Sequence, residues 1–182
     1  MAQIYLVRHG RATGTWIAHP DPGLDDVGRE QAARMAKELT AHGPLPLVTS
    51  PLRRTRETAS ALEQRWGISA QVEPHVGEIP SPPVAGSQRA DWLRGVLQAH
   101  WADLDPSLHL WRTQVLKKLE EFSQDTLVVS HFVAINAAVG HALKDDRVTC
   151  FRPDNCSCTV LDIQDGDWKI VKLGTEGNGK IF

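Results

Sequence analysis

The chain has 182 residues, 41% hydrophobic and 23% charged, with 20 basic against 22 acidic side chains and a formal charge of −2. That is the composition of a globular protein long enough for one substantial core, and it excludes an acidic tail or the net basic footprint of a nucleic-acid binder. No apolar run approaches the roughly 20 residues that span a bilayer, and the cysteines at 150, 156 and 158 form no disulfide framework, so the expectation is a soluble, cytoplasmic, unexported protein with reduced thiols.

The first element in chain order is a strand, "QIYLVR" (3–8), which the chain enters almost at once. In "LDDVGREQAARMAKELTAHG", Val27, Ala32, Met35 and Leu39 approximate helical spacing. Asp25 or Asp26 can cap the start, and Gly43-Pro44 stops the run. A second strand, "LPLVTS" (45–50), leads to a helix from Leu52 to Trp66 closed by Gly67, and "AQVEPHV" (70–76) reads as a third strand. Residues 77–88 are a Pro/Gly/Ser loop, followed by helices at about 89–104 and 107–123; the loop and the first of these read as an insertion at roughly 77–105 over one end of the sheet. Trp92, Trp101 and Trp111 in this region serve helix packing or, alternatively, a substrate wall. The remaining strands are "DTLVVSH" (125–131), "SCTVLDI" (157–163) and "WKIVKLG" (168–174), the last two joined by a turn with the hairpin signal Asp165-Gly166. Cys156 and Cys158 form a C-x-C pair, but no second pair completes four ligands, so core packing is expected rather than metal binding.

Strands alternating with helices predict a single domain over 1–182: a three-layer α/β/α sandwich with a mostly parallel sheet, helices on both faces and one antiparallel edge. In such sheets ligands sit beyond the carboxyl ends of the strands. Three strands end there in polar groups: Arg8-His9-Gly10, Thr49-Ser50 followed by "PLRRTRETA", and Ser130-His131. If these strands share a direction, two imidazoles and at least two guanidiniums gather at one edge. Cations crowd together only around an anion. A phosphoryl group has the matching shape, because the arginine fork fits its oxygens. A histidine kept neutral by neighbouring positive charge could attack phosphorus, and Gly10 would let the backbone approach the phosphate.

Four blocks, "LVRHG", "GLDDVGREQA", "SPLRRTRETA" and "VVSH", together resemble the histidine phosphatase, or phosphoglycerate mutase-like, superfamily. The resemblance implies that His9 becomes phosphohistidine, that Arg8 and Arg54 bind phosphate with Arg53 and Arg56 as helix-surface neighbours, and that His131 donates to the phosphoryl oxygens. It places the proton donor at Glu78, in "HVGEIP". A carboxylic acid there makes chemical sense, since an alkoxide leaves poorly unless protonated. His75 nearby reads as solvated or structural. No metal and no cofactor are expected, because the arginines would repel a cation.

The chain departs from the family pattern in three places. In "RHGRATGT", Arg11 stands in a polar or acidic position, and Thr15 stands where an asparagine would help hold phosphate; Arg11 either extends the positive field or faces solvent. "IPSPPVAGSQ" replaces the aromatic-Gly-x-Trp-Glu-Gly motif, and Phe132-Val133 follow His131 where small residues are usual. The expected activity is metal-independent hydrolysis of a phosphomonoester, on a small molecule or a phosphoprotein, with no nucleic acid or membrane as partner and the oligomeric state open. Mutase-type phosphotransfer, a phosphohistidine-protein phosphatase and a non-catalytic phosphate-binding module remain alternatives.

Overall fold

The computed structural model describes residues 2–14, 21–84 and 86–177. The opening apolar run becomes β1 (Ala2–Arg8), a central strand. It pairs in parallel with β4 (Thr126–Ser130) on one side and antiparallel with β5 (Cys158–Gln164) on the other. Next to β4 come β2 (Leu47–Thr49) and β3 (Gln71–Val72), both parallel, while β6 (Asp167–Lys172) closes the far edge in the order β3-β2-β4-β1-β5-β6. Asp165 and Gly166 take φ of 48° and 81°, the left-handed pair that a two-residue hairpin requires. The expected α/β/α sandwich with an antiparallel edge is therefore present.

Strand alternation divides the core between the two faces. Val7, Leu47, Leu127 and Val129 pack with Met35 and Ala36 of α1 (Asp26–Leu39) and Ala59 and Leu62 of α2 (Arg53–Trp66). Ile4, Leu6, Val48 and Val128 pack on the opposite face, against Val115 and Leu119 of α4 (Pro106–Glu120) and Ile135 and Val139 of α5 (Phe132–Leu143). A third cluster joins Leu93 and Val96 of α3 (Gly86–Gln98), with Ile79 and Trp101, to Phe132, Val133 and Ala137 at the start of α5. The segment between β3 and α4 is thus held against the end of α5 that follows His131. Trp101 is fully buried and stacks 6.2 Å from Trp111, which makes it packing and not a substrate wall. Cys156 and Cys158 are free thiols packed against the α1–α2 side, and burial pushes both up to about 12.

The structure corrects the bounds of two elements and adds a third. Strand 70–76 is reduced to Gln71–Val72, because Pro74 has no N–H for the ladder and instead opens a 3₁₀ turn over Pro74–Val76. The first helix of the 77–105 segment starts at Gly86 and stops at Gln98, and a separate 3₁₀ turn covers Trp101–Asp103. Helix α5 is an element that sequence periodicity does not reveal. Its nine residues from Phe132 to Gly140 are all buried, so it has no polar stripe to mark a helical period.

The glycines of two motif blocks explain each other. A Cβ on Gly10 would stand 2.6 Å from the carbonyl oxygen of Gly28, and one on Gly28 would strike the backbone of Arg11. The end of β1 and the first turn of α1 therefore meet backbone to backbone. Gly10 is required by this contact with α1, a constraint additional to the approach of phosphate expected of it. Gly28→Ala is expected to destabilise the fold by about 1–3 kcal/mol, as overpacking against immovable backbone does. For a chain of this size that lowers the melting temperature by roughly 2–4 °C per kcal/mol, read by thermal denaturation.

Candidate active site

The parallel strands β1, β2 and β4 deliver their carboxyl ends to one edge, and the side chains following them converge. His9 directly follows β1, and its backbone N–H donates to Ser130 O at 3.0 Å. His131 directly follows β4. Arg54 is the second residue of α2, on the buried face with 1% exposure, whereas Arg53 and Arg56 point outward. Glu78 arrives from the loop after the Pro74–Val76 turn, its side chain 10% exposed, with one oxygen accepting from Ile79 N at 3.0 Å.

Arg54 lies at the centre of this group. Its Nε donates to His9 Nε2 at 3.1 Å, and its Nη2 stands 3.2 Å from His131 Nδ1 and 3.6 Å from Glu78 Oε2. Glu78 Oε2 is also 3.4 Å from His131 Nδ1, and the two imidazole rings stand 5.3 Å apart. His9 Nδ1 is 2.8 Å from the Gly10 carbonyl, which can only accept, so Nδ1 carries the proton and Nε2 holds the lone pair. Arg8 is buried, with Nη1 donating to Pro153 O at 2.9 Å and its guanidinium 5.3 Å from the Phe132 ring centroid.

Burial sets the protonation of the site. It drives His9 and His131 well below the ordinary imidazole range, and the charges of Arg54 and Arg8 push both further in the same direction. His9 is therefore a neutral base at neutral pH. Burial raises Glu78 above the usual carboxylate range, opposed mainly by Arg54. Burial also lowers Arg8 to about 10, still charged at neutral pH. The result is two buried guanidiniums around one carboxyl group that resists ionisation. Helices α2 and α5 both begin at this edge, so their N-terminal dipoles add to the positive potential. The arrangement suits a tetrahedral anion beside a neutral imidazole nitrogen.

His9, Glu78 and His131 each offer a ligand atom, all within 4.8 Å of one another, and so could be read as a metal triad. The Arg54 guanidinium, however, touches all three groups. A cation there would meet that fixed positive charge.

Sequence reasoning had placed Ser50 at a strand end without a role. It is fully buried, and its Oγ is 2.8 Å from His131 Nε2. Arg54 Nη2 can only donate, so here Nδ1 accepts from it and Nε2 carries the proton to Ser50 Oγ; once Arg54 turns away, Ser50 can donate to Nε2 instead, which puts the proton on Nδ1, facing Glu78. Asn155 Nδ2 donates to His9 O at 2.8 Å, and Thr58 Oγ1 accepts from Gly10 N at 3.0 Å, so the chain around His9 is held from two further elements. The signal available for Ser50 was a hydroxyl ending an apolar strand; Asn155 offered none. Replacing Ser50 by Ala is expected to lower kcat about tenfold to a hundredfold with little change in KM. This is the effect of leaving a buried imidazole nitrogen unsatisfied and its tautomer unfixed, and steady-state kinetics beside a melting curve measures it.

Other polar residues are accounted for elsewhere. Arg11 is exposed and ion-paired to Asp25 at 2.5 Å, which resolves its two readings in favour of solvent. His75 is 2.8 Å from Glu73, which also pairs with Lys118 at 3.3 Å, so it is structural. Thr15 lies outside the described residues. Among the described residues no helix is long and apolar enough to cross a membrane.

A doubly covered, mostly parallel sheet whose strand ends gather two imidazoles, two arginines and a carboxyl group defines the class of a phosphate-ester-handling α/β protein. The family model of the histidine phosphatase superfamily (branch 1) matches residues 4–176, and the chain belongs to that family. A probable phosphoglycerate mutase, GpmB, of Photorhabdus laumondii is 27% identical over 191 residues, covering 92% of this chain and 88% of the relative. Phosphoserine phosphatase 1 of Hydrogenobacter thermophilus is 27% identical over 194 residues, covering 95% and 92%. Among solved structures, mycobacterial glucosyl-3-phosphoglycerate phosphatase with inorganic phosphate superposes with a TM-score of 0.76 at 21% identity, covering 97% of this chain and 98% of that one, a likeness of fold.

Proposed function

We propose that the chain is a single-domain, metal-independent phosphomonoesterase acting through a phosphohistidine on His9. The observation that carries this reading is the His9 Nε2 lone pair, kept neutral by burial and directed at the Arg54 guanidinium. The phosphoryl group of the substrate takes the place beside Arg54, which turns its N–H groups from the imidazoles to the phosphoryl oxygens, with Arg8 adding charge and His131 donating from Nδ1. His9 Nε2 attacks phosphorus, the ester P–O bond breaks, and its electron pair leaves on the alkoxide oxygen, which takes the Glu78 proton. In the second half-reaction the Glu78 carboxylate removes a proton from water as the water oxygen attacks phosphorus. The P–N bond breaks, its electrons return to Nε2, and inorganic phosphate is released.

Small phosphorylated metabolites are the favoured substrates over phosphoproteins. The likeness to a phosphoserine phosphatase and a probable phosphoglycerate mutase supports that class. The GpmB likeness also supports a second reading, transfer of the phosphoryl group to another phosphate-bearing acceptor. A cytoplasmic location remains part of the proposal.

The test is a hydrolysis screen of phosphorylated metabolites and phosphopeptides at pH of about 5–8. Chelator and acceptor arms accompany it. Phosphate release that survives a chelator and is not diverted to added phosphoglycerate supports the proposal. Inactivity across the screen, or loss of activity with the chelator, overturns it.

A further inference from the structure

The loop that follows α5 is fastened at Cys150 and Phe151 to α5 and at Pro153, Asn155 and Cys156 to the end of the catalytic strand. Asn136 Oδ1 accepts from Cys150 N at 2.9 Å and Phe151 N at 3.1 Å. Pro153 O accepts from Arg8, Asn155 donates to His9 O, and Asp154 N donates to Thr175 O at 2.8 Å. Arg152 sits in the middle of this loop, its N–H donating to Glu176 Oε1 at 2.8 Å and its carbonyl accepting from Gly177 N at 3.1 Å. The backbone of Arg152 is thus hydrogen-bonded through both its N–H and its carbonyl.

The side chain is different. Arg152 is exposed, and among the described residues its guanidinium makes no ion pair within 4 Å. It stands 5.9 Å from the Phe132 ring centroid, with the Arg8 guanidinium 5.3 Å from the same centroid. Two cations therefore share the ring of the residue that follows His131; the charged form of Arg8, disfavoured first by burial, is favoured by Glu78 and Asp154 and opposed by Arg152. Like charges so placed repel unless anions compensate them. A phosphoryl group at Arg54 and Arg8 compensates the charge of Arg8 and leaves that of Arg152, on the same ring, without an anion. A guanidinium fork is suited to a carboxylate or phosphate there.

Resting on the phosphatase reading above, we propose that Arg152 is a specificity-determining residue that recognises a second anionic group on the substrate, and that the preferred ester carries such a group near its phosphoryl end.

Two matched pairs of esters test this on wild type and Arg152→Ala. In the first, 3-phosphoglycerate and glycerol 3-phosphate differ by a carboxylate; in the second, propane-1,3-diol bisphosphate and 3-hydroxypropyl phosphate differ by a second phosphate. Wild type is expected to prefer the more anionic member of at least one pair by about tenfold or more in kcat/KM, through KM, as a charge-assisted hydrogen bond gives. The pair that shows the preference identifies the group. In Arg152→Ala the preference disappears, while the less anionic member keeps its kcat/KM within about twofold. No preference in wild type, a preference that survives the substitution, or an equal loss on both members overturns the inference. If wild type hydrolyses none of the four esters, the phosphatase reading is decided by the broader screen above and not by these compounds. The same compounds are then measured as competitors of inorganic phosphate by calorimetry. An Arg152-dependent preference there upholds the recognition site, and its absence overturns it.

Discussion

Replacing His9 by Ala is expected to abolish turnover and acid-labile phosphoenzyme together. Among the described residues, Nε2 of His9 is the nitrogen placed for attack, since Nδ1 is committed to the Gly10 carbonyl and His131 is held between Ser50 and Glu78. Loss of a nucleophile in a covalent mechanism costs on the order of 10⁴–10⁶ in kcat. The fold is expected to persist, because His9 N–H donates to Ser130 O and His9 O accepts from Asn155 Nδ2, neither of which uses the imidazole. The measurement is rapid-quench trapping of labelled phosphoenzyme, with circular dichroism to establish folding. Wild type should show a burst of phosphoenzyme and the variant none. A folded variant that retains more than about a hundredth of wild-type kcat, or a wild type that turns over without a phosphoenzyme, contradicts His9 as nucleophile.

The strand ends carrying this chemistry were legible because their polarity is anomalous locally. An apolar run ending in Arg8-His9 or Ser130-His131 declares itself without knowledge of its neighbours. The choice of Arg54 over Arg53 also rested on spacing, and the reason is visible in α2: it begins at Arg53, so the next residue faces the sheet and the first faces solvent. What was not legible depends on packing between distant segments. Helix α5 is buried all round and shows no period. The loop from Cys150 to Asn155 gives no sign in its sequence that it grips Arg8 and His9, about 145 residues earlier. Gly10 was noticed for a local reason, yet its constraint comes from Gly28 on another element. Strand 3 was read too long because β-type residues outweighed the missing N–H of Pro74. Local chemical contradiction thus marked the candidate site, and long-range closure of the backbone stayed hidden.

Glu78→Gln is expected to divide substrates by leaving group. The carboxyl of Glu78 is raised by burial and so stays protonated to higher pH than an exposed glutamate, the state required of a general acid. As pH rises through its shifted value the acid form is lost, so kcat/KM for an alkyl ester should fall on the alkaline side. His9, driven well below the ordinary imidazole range, places the acid limb far lower. The amide cannot supply the proton. Alkyl ester hydrolysis should drop by about 10²–10⁴ and lose its alkaline limb. An ester of 2,4-dinitrophenol, whose leaving group needs no proton, should still phosphorylate His9 at a rate within about tenfold of wild type. It should then stall as phosphoenzyme, because the same residue activates water in the second half-reaction. Equal losses on both esters would show that Glu78 only steadies Arg54, at 3.6 Å, and His131, at 3.4 Å. Undiminished alkyl ester hydrolysis would assign the proton to another group. Burst amplitude with the aryl ester separates the outcomes: a full burst without turnover is the signature of a site that keeps its nucleophile and phosphate clamp but has lost its acid and base.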